Sequence, residues 1–325
     1  PVLGSVPQLT LAANRAAGSA VTERTSLASP GGDLSSMTAL SPDSRRTWSL
    51  WALPLYQSIN HYGLDAGSLN ADTSGSLGGI TVGADCTFDS TLRLGADLSV
   101  GGGWAEGSGD FSRTTNNMTF WGAGLYGGWT RGAFGLSADV HFTSSFNSLK
   151  QELPSSMRMA DLEADITSRA LSAGIRAEYR FSAGDVRIIP HAGVRYTNLT
   201  VDGYDADSGG TVLEGDGFSQ DLVFFPAGVA FEMPLETKSG WRFLPRADFA
   251  VVPAAGDIRA REDVRWSGLG KSYSVSTQDM DQVSYTAQAG IECGKDKFSV
   301  SVNYALQTGF TTEGHSVFAE LRWEF

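Results

Sequence analysis

The groups with the most direct chemical potential in this 325-residue chain are four histidines, two cysteines and two acid-rich segments. His61, His141, His191 and His315 lie far apart and form no short spacing of the kind that holds zinc. His141 and His191 fall on or near a polar strand face, where membership of a polar network is the simpler role. Asp202, Asp205 and Asp207 are spaced like the opening of a calcium loop, but the glycine and the closing glutamate that such a loop requires are not in place. No Gly-x-Ser-x-Gly elbow and no paired-histidine helix occurs, and the glycines are dispersed rather than gathered around a phosphate. No catalytic residue, metal ligand or cofactor is therefore assigned, and the chain is expected not to be an enzyme.

More is offered by charged side chains that alternate with apolar ones. Arg93, Asp97, Asp139, Arg176, Glu178, Arg180, Arg187, Arg195, Arg242, Arg246, Asp248, Glu292, Glu320 and Arg322 all occupy the polar phase of such alternations. Aimed into a narrow aqueous bore, they would form cross-strand ion pairs and clamp Arg15, Glu23 and Arg24 of the leading segment. The competing role is only to keep the bore wet, at ~0–1 kcal/mol per exposed pair.

The elements that must position these charges are strands. From Trp48 onward apolar residues recur with period two, as in Phe298, Val300, Val302, Tyr304 and Leu306 against Ser299, Ser301, Asn303, Ala305 and Gln307. The runs fall near 48–58, 74–88, 91–105, 117–130, 133–146, 166–181, 185–199, 218–235, 241–253, 283–294, 297–309 and 315–325, twelve in all. Trp51 and Tyr126 stand on the wrong parity, which a bulge would explain.

The connections alternate between long (59–73, 106–116, 147–165, 200–217, 254–282) and short (89–90, 131–132, 182–184, 236–240, 295–296), with 310–314 also short. Outer-membrane barrels show this asymmetry. Asp202, Asp205, Asp207, Glu214 and Asp216, and again Asp257, Glu262, Asp263, Asp279 and Asp281, lie in the long connections and read as solvated loops.

Composition agrees with strands. Gly is frequent at 39 residues, only 18% of residues are charged, and no run approaches the ~20 apolar residues of a spanning helix. A net charge of −12 argues against nucleic acid, which needs a basic surface. A long open sheet in water would expose hazardous edges, whereas a closed barrel in lipid has none and turns its apolar face outward. A soluble all-β protein is the alternative. Trp129, Phe181, Trp241, Trp323 and Phe325, near strand ends, suit interfacial girdles.

Cys86 and Cys293 are too few for a disulfide framework. On a closed barrel their strands are four spacings apart, or ~19 Å, so two unlinked thiols are expected. The chain begins without a leader sequence or initiator Met, and it is expected to be a mature or excised C-terminal part.

Residues 1–47 differ from the rest. Ser5 and Gln8 are spaced as a capping box, Pro7 suits a first helical turn, and Pro30, Gly31 and Gly32 would stop the helix. A helix from Pro7 to Ala28 would be ~33 Å long, about the height of the hydrocarbon layer, and slim enough to thread a lumen. A surface or interfacial helix, or a disordered linker, is the other reading. The expected domains are thus 1–47, a pore-threading helix and linker, and 48–325, an outer-membrane β-barrel.

Together, a thin helix and twelve strands ending on an outward aromatic resemble the C-terminal β-barrel translocator domain of monomeric autotransporters (type V secretion). The resemblance covers essentially the whole chain. It rests on Trp48-Ser49-Leu50-Trp51-Ala52, on Gly78-Gly79-Ile80-Thr81-Val82-Gly83-Ala84-Asp85 with Leu92-Arg93-Leu94-Gly95-Ala96, and on Phe318-Ala319-Glu320-Leu321-Arg322-Trp323-Glu324-Phe325. Ala12-Ala13-Asn14-Arg15-Ala16-Ala17 resembles the helix preceding the barrel.

The fold implied is all-β: a transmembrane, twelve-stranded, antiparallel, up-and-down β-barrel with an N-terminal α-helix threading the lumen. The function implied is anchoring in the bacterial outer membrane and translocation of an N-terminal passenger to the cell surface. The partners implied are outer-membrane lipid, the passenger, the barrel-assembly machinery and periplasmic chaperones, with the barrel monomeric. Leu321, Trp323 and Phe325 resemble the assembly signal, and Asn14, Arg15, Glu23 and Arg24 would be the pore-helix residues.

Some relatives cut the passenger at an Asn of the helix with inward acidic residues. Only Asn14-Arg15 is offered here in place of the paired Asn, so self-cleavage is not expected. The competing functions are an outer-membrane barrel enzyme, a phospholipase or protease, which would need a Ser-His pair or acidic dyad at the rim, and a passive porin, which would not need the leading helix.

Overall fold

The computed structural model describes residues 2–27, 46–66, 69–109, 112–153, 160–267, 272–278 and 280–325. One helix, α1 (Val2–Thr25), precedes twelve barrel strands: β1 (Arg46–Ala66), β2 (Leu69–Phe88), β3 (Leu92–Gly109), β4 (Thr114–Arg131), β5 (Phe134–Gln151) and β6 (Leu162–Tyr179). The circuit continues with β7 (Val186–Val201), β8 (Phe218–Phe224 and on as Ala227–Glu232), β9 (Arg242–Gly256), β10 (Val283–Lys295), β11 (Phe298–Thr308) and β12 (Thr312–Glu324). Every neighbouring pair is antiparallel. The ring closes through β1 and β12, from Ser49 opposite Glu324 to His61 opposite Thr312.

Alternation is inverted relative to a soluble sheet. Leu98, Leu125, Val302 and Val317 are outward and about half or more exposed, while Arg93, Glu320 and Asn303 are buried inside. Trp129, Phe181, Trp241, Trp323 and Phe325 all face outward at the end where the chain enters and leaves the barrel, which is the periplasmic end. A second aromatic ring, including Trp104, Trp121, Phe146, Tyr196, Phe225 and Tyr285, marks the outer interface. Cys86 and Cys293 occupy outward positions of β2 and β10, and no disulfide joins them.

The short connections are confirmed as tight turns. After β2, Asp89 and Ser90 both adopt positive φ, 46° and 56°, and the Thr91 N–H donates to the Phe88 carbonyl at 3.0 Å. That is the mirror-image turn whose twist matches a hairpin.

The long connections correct the expectation of irregular loops. Much of 59–73 and 106–116 is strand, because β1 to β4 run on past the bilayer. Within 200–217 and 254–282 the hairpins Tyr204–Asp207/Thr211–Gly215 and Arg259–Trp266/Ser272–Gln278 pair with each other, Leu213 opposite Trp266. The result is a collar above the membrane.

Two acids read as solvated are instead enclosed by this collar: Glu262 is 2% exposed and Asp281 8%. Asp279 and the helix stop at Pro30, Gly31 and Gly32 lie outside the described residues.

The helix also starts earlier than the capping pattern suggests. It runs Val2–Thr25, with Pro7 inside it. Ala28 lies outside the described residues. Ser5 and Gln8 serve the barrel wall instead of a cap: Asn116 Nδ2 donates to Ser5 Oγ at 3.3 Å, and Gln8 meets His61 and accepts from Thr73 Oγ1 at 3.0 Å.

Candidate functional site

Twelve strands spaced ~4.8 Å apart and tilted ~40° enclose a backbone cylinder of radius ~12 Å. Subtracting inward side chains leaves a bore of ~10 Å, the diameter of one helix. The lumen is filled accordingly, by α1, and the sequence of α1 fits a helix touched from every side. Val6 packs with Ile166 and Tyr204, Leu9 with Leu77 and Phe120, and Leu11 with Leu199 and Leu222. Further down, Val21 packs with Trp51 and Tyr126, and Leu27 with Ile189.

Near the outer end hydroxyl and amide side chains hold the helix. Thr10 Oγ1 bonds Ser145 Oγ at 2.8 Å and Ser168 Oγ at 2.7 Å. Asn14 Nδ2 donates to Thr143 Oγ1 at 3.2 Å and to the Ala170 carbonyl at 3.5 Å. Arg15 sets its guanidinium 4.8 Å above the Phe224 ring.

Toward the periplasm they become ionic. Glu23 pairs with Arg246 and accepts from Gln288 Nε2 at 2.7 Å. Arg24 donates through Nε and Nη2 to both oxygens of Asp85 at 2.8–3.0 Å, and through Nη1 to Glu320 at 3.1 Å. Arg93 donates to the Arg24 carbonyl, and Arg180 Nη2 to the Leu27 carbonyl at 2.9 Å. Arg93 thus meets a carbonyl that the end of α1 leaves without an intrahelical partner, and Arg180 meets one in the turn just beyond it. Glu178 accepts from Ser26 Oγ at 2.9 Å and from the Leu27 N–H.

All the charges assigned to the lumen occupy inward positions. Arg93, Glu178, Arg180, Arg246 and Glu320 bond the helix segment directly, and the Arg195 guanidinium lies against Gly18, where a Cβ would sit 3.3 Å from it. Others meet across the wall: Arg195 with Asp139 at 2.7 Å, Arg187 with Glu232 at 3.0 Å, Arg322 with Glu292 at 2.8 Å, and Arg176 with Asp248 at 3.7 Å. His141 stands between Asp97 and Asp139 at 3.6 Å from each, and His191 Nε2 is 3.0 Å from Asp248. Among the described residues Arg242 forms no ion pair.

The central partner was missed by sequence reading. Asp85 takes the lumen phase of β2 with Thr81, Gly83 and Thr87, and that phase is the signal that would have found it. The bulge suggested for Trp51 and Tyr126 is corrected, because β1 and β4 keep unbroken register through both residues. These aromatics point inward. Trp51 Nε1 donates to Tyr126 Oη at 2.8 Å, and Tyr126 Oη donates to Asp85 at 2.8 Å. A Cβ at Gly83 would overlap the Trp51 indole, and one at Gly95 the Tyr126 ring.

Alongside the helix a cavity of about 340 Å³ remains, lined by Arg15, Glu23, Arg195, Arg246 and Asp248 among others. It has room for water and ions, but a polypeptide could not pass without displacing α1.

The model of the autotransporter β-domain family matches residues 50–305. A comparison with curated proteins finds no match. Among solved structures, the translocator domain of the autotransporter NalP from Neisseria meningitidis is similar over 99% of this chain and 100% of its own, with TM-score 0.65 and 12% identity. The transport unit of AIDA-I from Escherichia coli covers 93% of this chain and 99% of its own at TM-score 0.62 and 16% identity. The β domain of the Bordetella autotransporter BrkA covers 85% and 98% at TM-score 0.60 and 13% identity. At such identities these likenesses carry the fold.

Proposed function

Because the chain belongs to the autotransporter β-domain family, anchoring in the outer membrane and translocating an N-terminal passenger, we propose that within the leading domain, 1–47, the helix Val2–Thr25 acts as a clamped plug in the 48–325 barrel. The observation that carries this is the fully buried Arg24, held by Asp85 and Glu320 at the periplasmic end of the bore. The clamp closes the pore once the chain has passed through, and its ion pairs can break and re-form without disturbing the wall.

We assign this chain no reaction. The lumen-facing histidines and acids serve the polar network that surrounds α1. Leu321, Trp323 and Phe325, outward and 45–58% exposed, form the apolar edge we assign to the barrel-assembly machinery and its chaperones.

Deleting residues 1–27 and recording single channels in planar bilayers tests the plug. Conductance should rise several-fold over the intact chain. Equal conductance with a barrel shown to be folded by heat-modifiable migration overturns it.

A further inference from the structure

The outward surface of β8 to β11 is hollowed by a groove of about 530 Å³. Its floor is the small outward side chains Ala227 and Ala287 with the backbone of Gly228 and Ala250, which lie on the lumen phase, and Phe249 and Tyr285 stand 53% and 57% exposed at its sides. Register sets these at one level: Ala227 is opposite Val251, and Val251 opposite Tyr285. The groove therefore opens just inside the outer aromatic ring to which Phe225 and Tyr285 belong, within the hydrocarbon of the outer leaflet.

The wall beneath it is thin. Ala250, Thr286 and Leu306 line both this groove and the lumen cavity, so little side-chain bulk backs the sheet on either side. Its hydrogen bonding is also sparse at the upper edge. Gly193 donates to the Pro226 carbonyl and Phe225 to the Pro253 carbonyl, each at 2.9 Å, and neither proline has an N–H to return. An unfilled hollow forfeits dispersion contacts on atoms that elsewhere touch lipid.

We propose that this groove is a binding site for one acyl chain of an outer-leaflet lipid, which is retained there and braces the thin wall. The apolar floor and walls and the depth in the bilayer select a hydrocarbon chain.

The test uses the full chain in vesicles doped with a phospholipid carrying a diazirine on one acyl chain, irradiated and mapped by peptide mass spectrometry. Peptides of β8 to β10 around the groove should carry several-fold more adducts per outward residue than those of β3 to β5. Ala287→Phe should bring them down to the belt average, whereas Ala138→Phe, outward on β5, should leave them unchanged. Ala227→Leu is the alternative filling variant if Ala287→Phe does not assemble. Even labelling around the belt, groove labelling that the filling variants do not change, or cross-links there to a second polypeptide would each overturn the proposal.

Discussion

Arg24 of the helix and Asp85 of β2 form a two-pronged ion pair at 2.8–3.0 Å whose side chains have no exposure to solvent. Leaving one such charge without its partner costs ~3–5 kcal/mol. Arg24→Ala and Asp85→Asn are therefore expected to loosen the plug. Because ~1.4 kcal/mol is a tenfold change in population, high-conductance openings should increase at least tenfold in single-channel records. The double variant should be less than additive, since each single change already breaks the same contact.

The Trp51 indole lies over Gly83 and the Tyr126 ring over Gly95, with the two aromatics hydrogen-bonded at 2.8 Å. A methyl group at either glycine must push a ring off its backbone seat, and overpacking of this kind costs ~1–3 kcal/mol. Gly83→Ala should slow barrel assembly and lower the temperature of heat-modifiable migration. Trp51→Leu in the same chain should restore much of the loss, which a defect in the backbone alone would not permit.

Burial pushes the Glu262 carboxyl in the extracellular collar up to about 7, against a 3.4 Å hydrogen bond from Tyr204 and with the Asp216 charge adding to the rise. The folded value thus lies above the ordinary 4.5. Keeping the collar folded around a charged carboxylate is the unfavourable state, so collar stability is greatest below about 4.5, falls as pH rises and reaches its lowest level above about 7. Carboxyl NMR should place the midpoint near 7, and Glu262→Gln should remove the pH dependence of collar amide protection between those limits.

What could be read from sequence was set by where one face meets lipid. In β11 and β12 every second residue is apolar, and the observed strands follow the expected ones closely. Above the bilayer no face meets lipid and the enclosed face mixes Ala260 and Val264 with Glu262, so apolar alternation fades, and residues such as Val264 and Tyr273 read as loop although they lie in paired strands. Inside the bore the phase carried the charges correctly, and applied to β2 it also points to Asp85, which alternates with Thr81, Gly83 and Thr87 against Ile80, Val82 and Cys86. The helix start was misread for another reason: Ser5 and Gln8 have capping chemistry, yet the wall of the barrel uses it.

Phe325 and Trp323 end the chain on the outward face, each 58% exposed. If they are read by the assembly machinery, Phe325→Ala should reduce the amount of folded barrel in the outer membrane several-fold, while refolding of the purified chain into detergent proceeds as before. A loss of equal size in both measurements would instead assign the residue to stability.

Asp281, at the foot of the collar, holds the turn between β11 and β12. It accepts from the Thr311 N–H and hydroxyl at 2.9 and 2.8 Å and from those of Thr312 at 3.0 and 2.6 Å. Burial would raise its carboxyl, but the four donors outweigh that and hold it below the ordinary carboxylate value. Its stabilisation is therefore present above the unfolded value of 3.8 and is lost as pH falls through the lower folded one. Hydrogen bonds to a charged group contribute ~1.5–3 kcal/mol each. Asp281→Ala should strip exchange protection from the Thr311 and Thr312 amides while leaving the amides of β5 unchanged, and Asp281→Asn, which keeps the shape and two acceptor directions, should restore part of it.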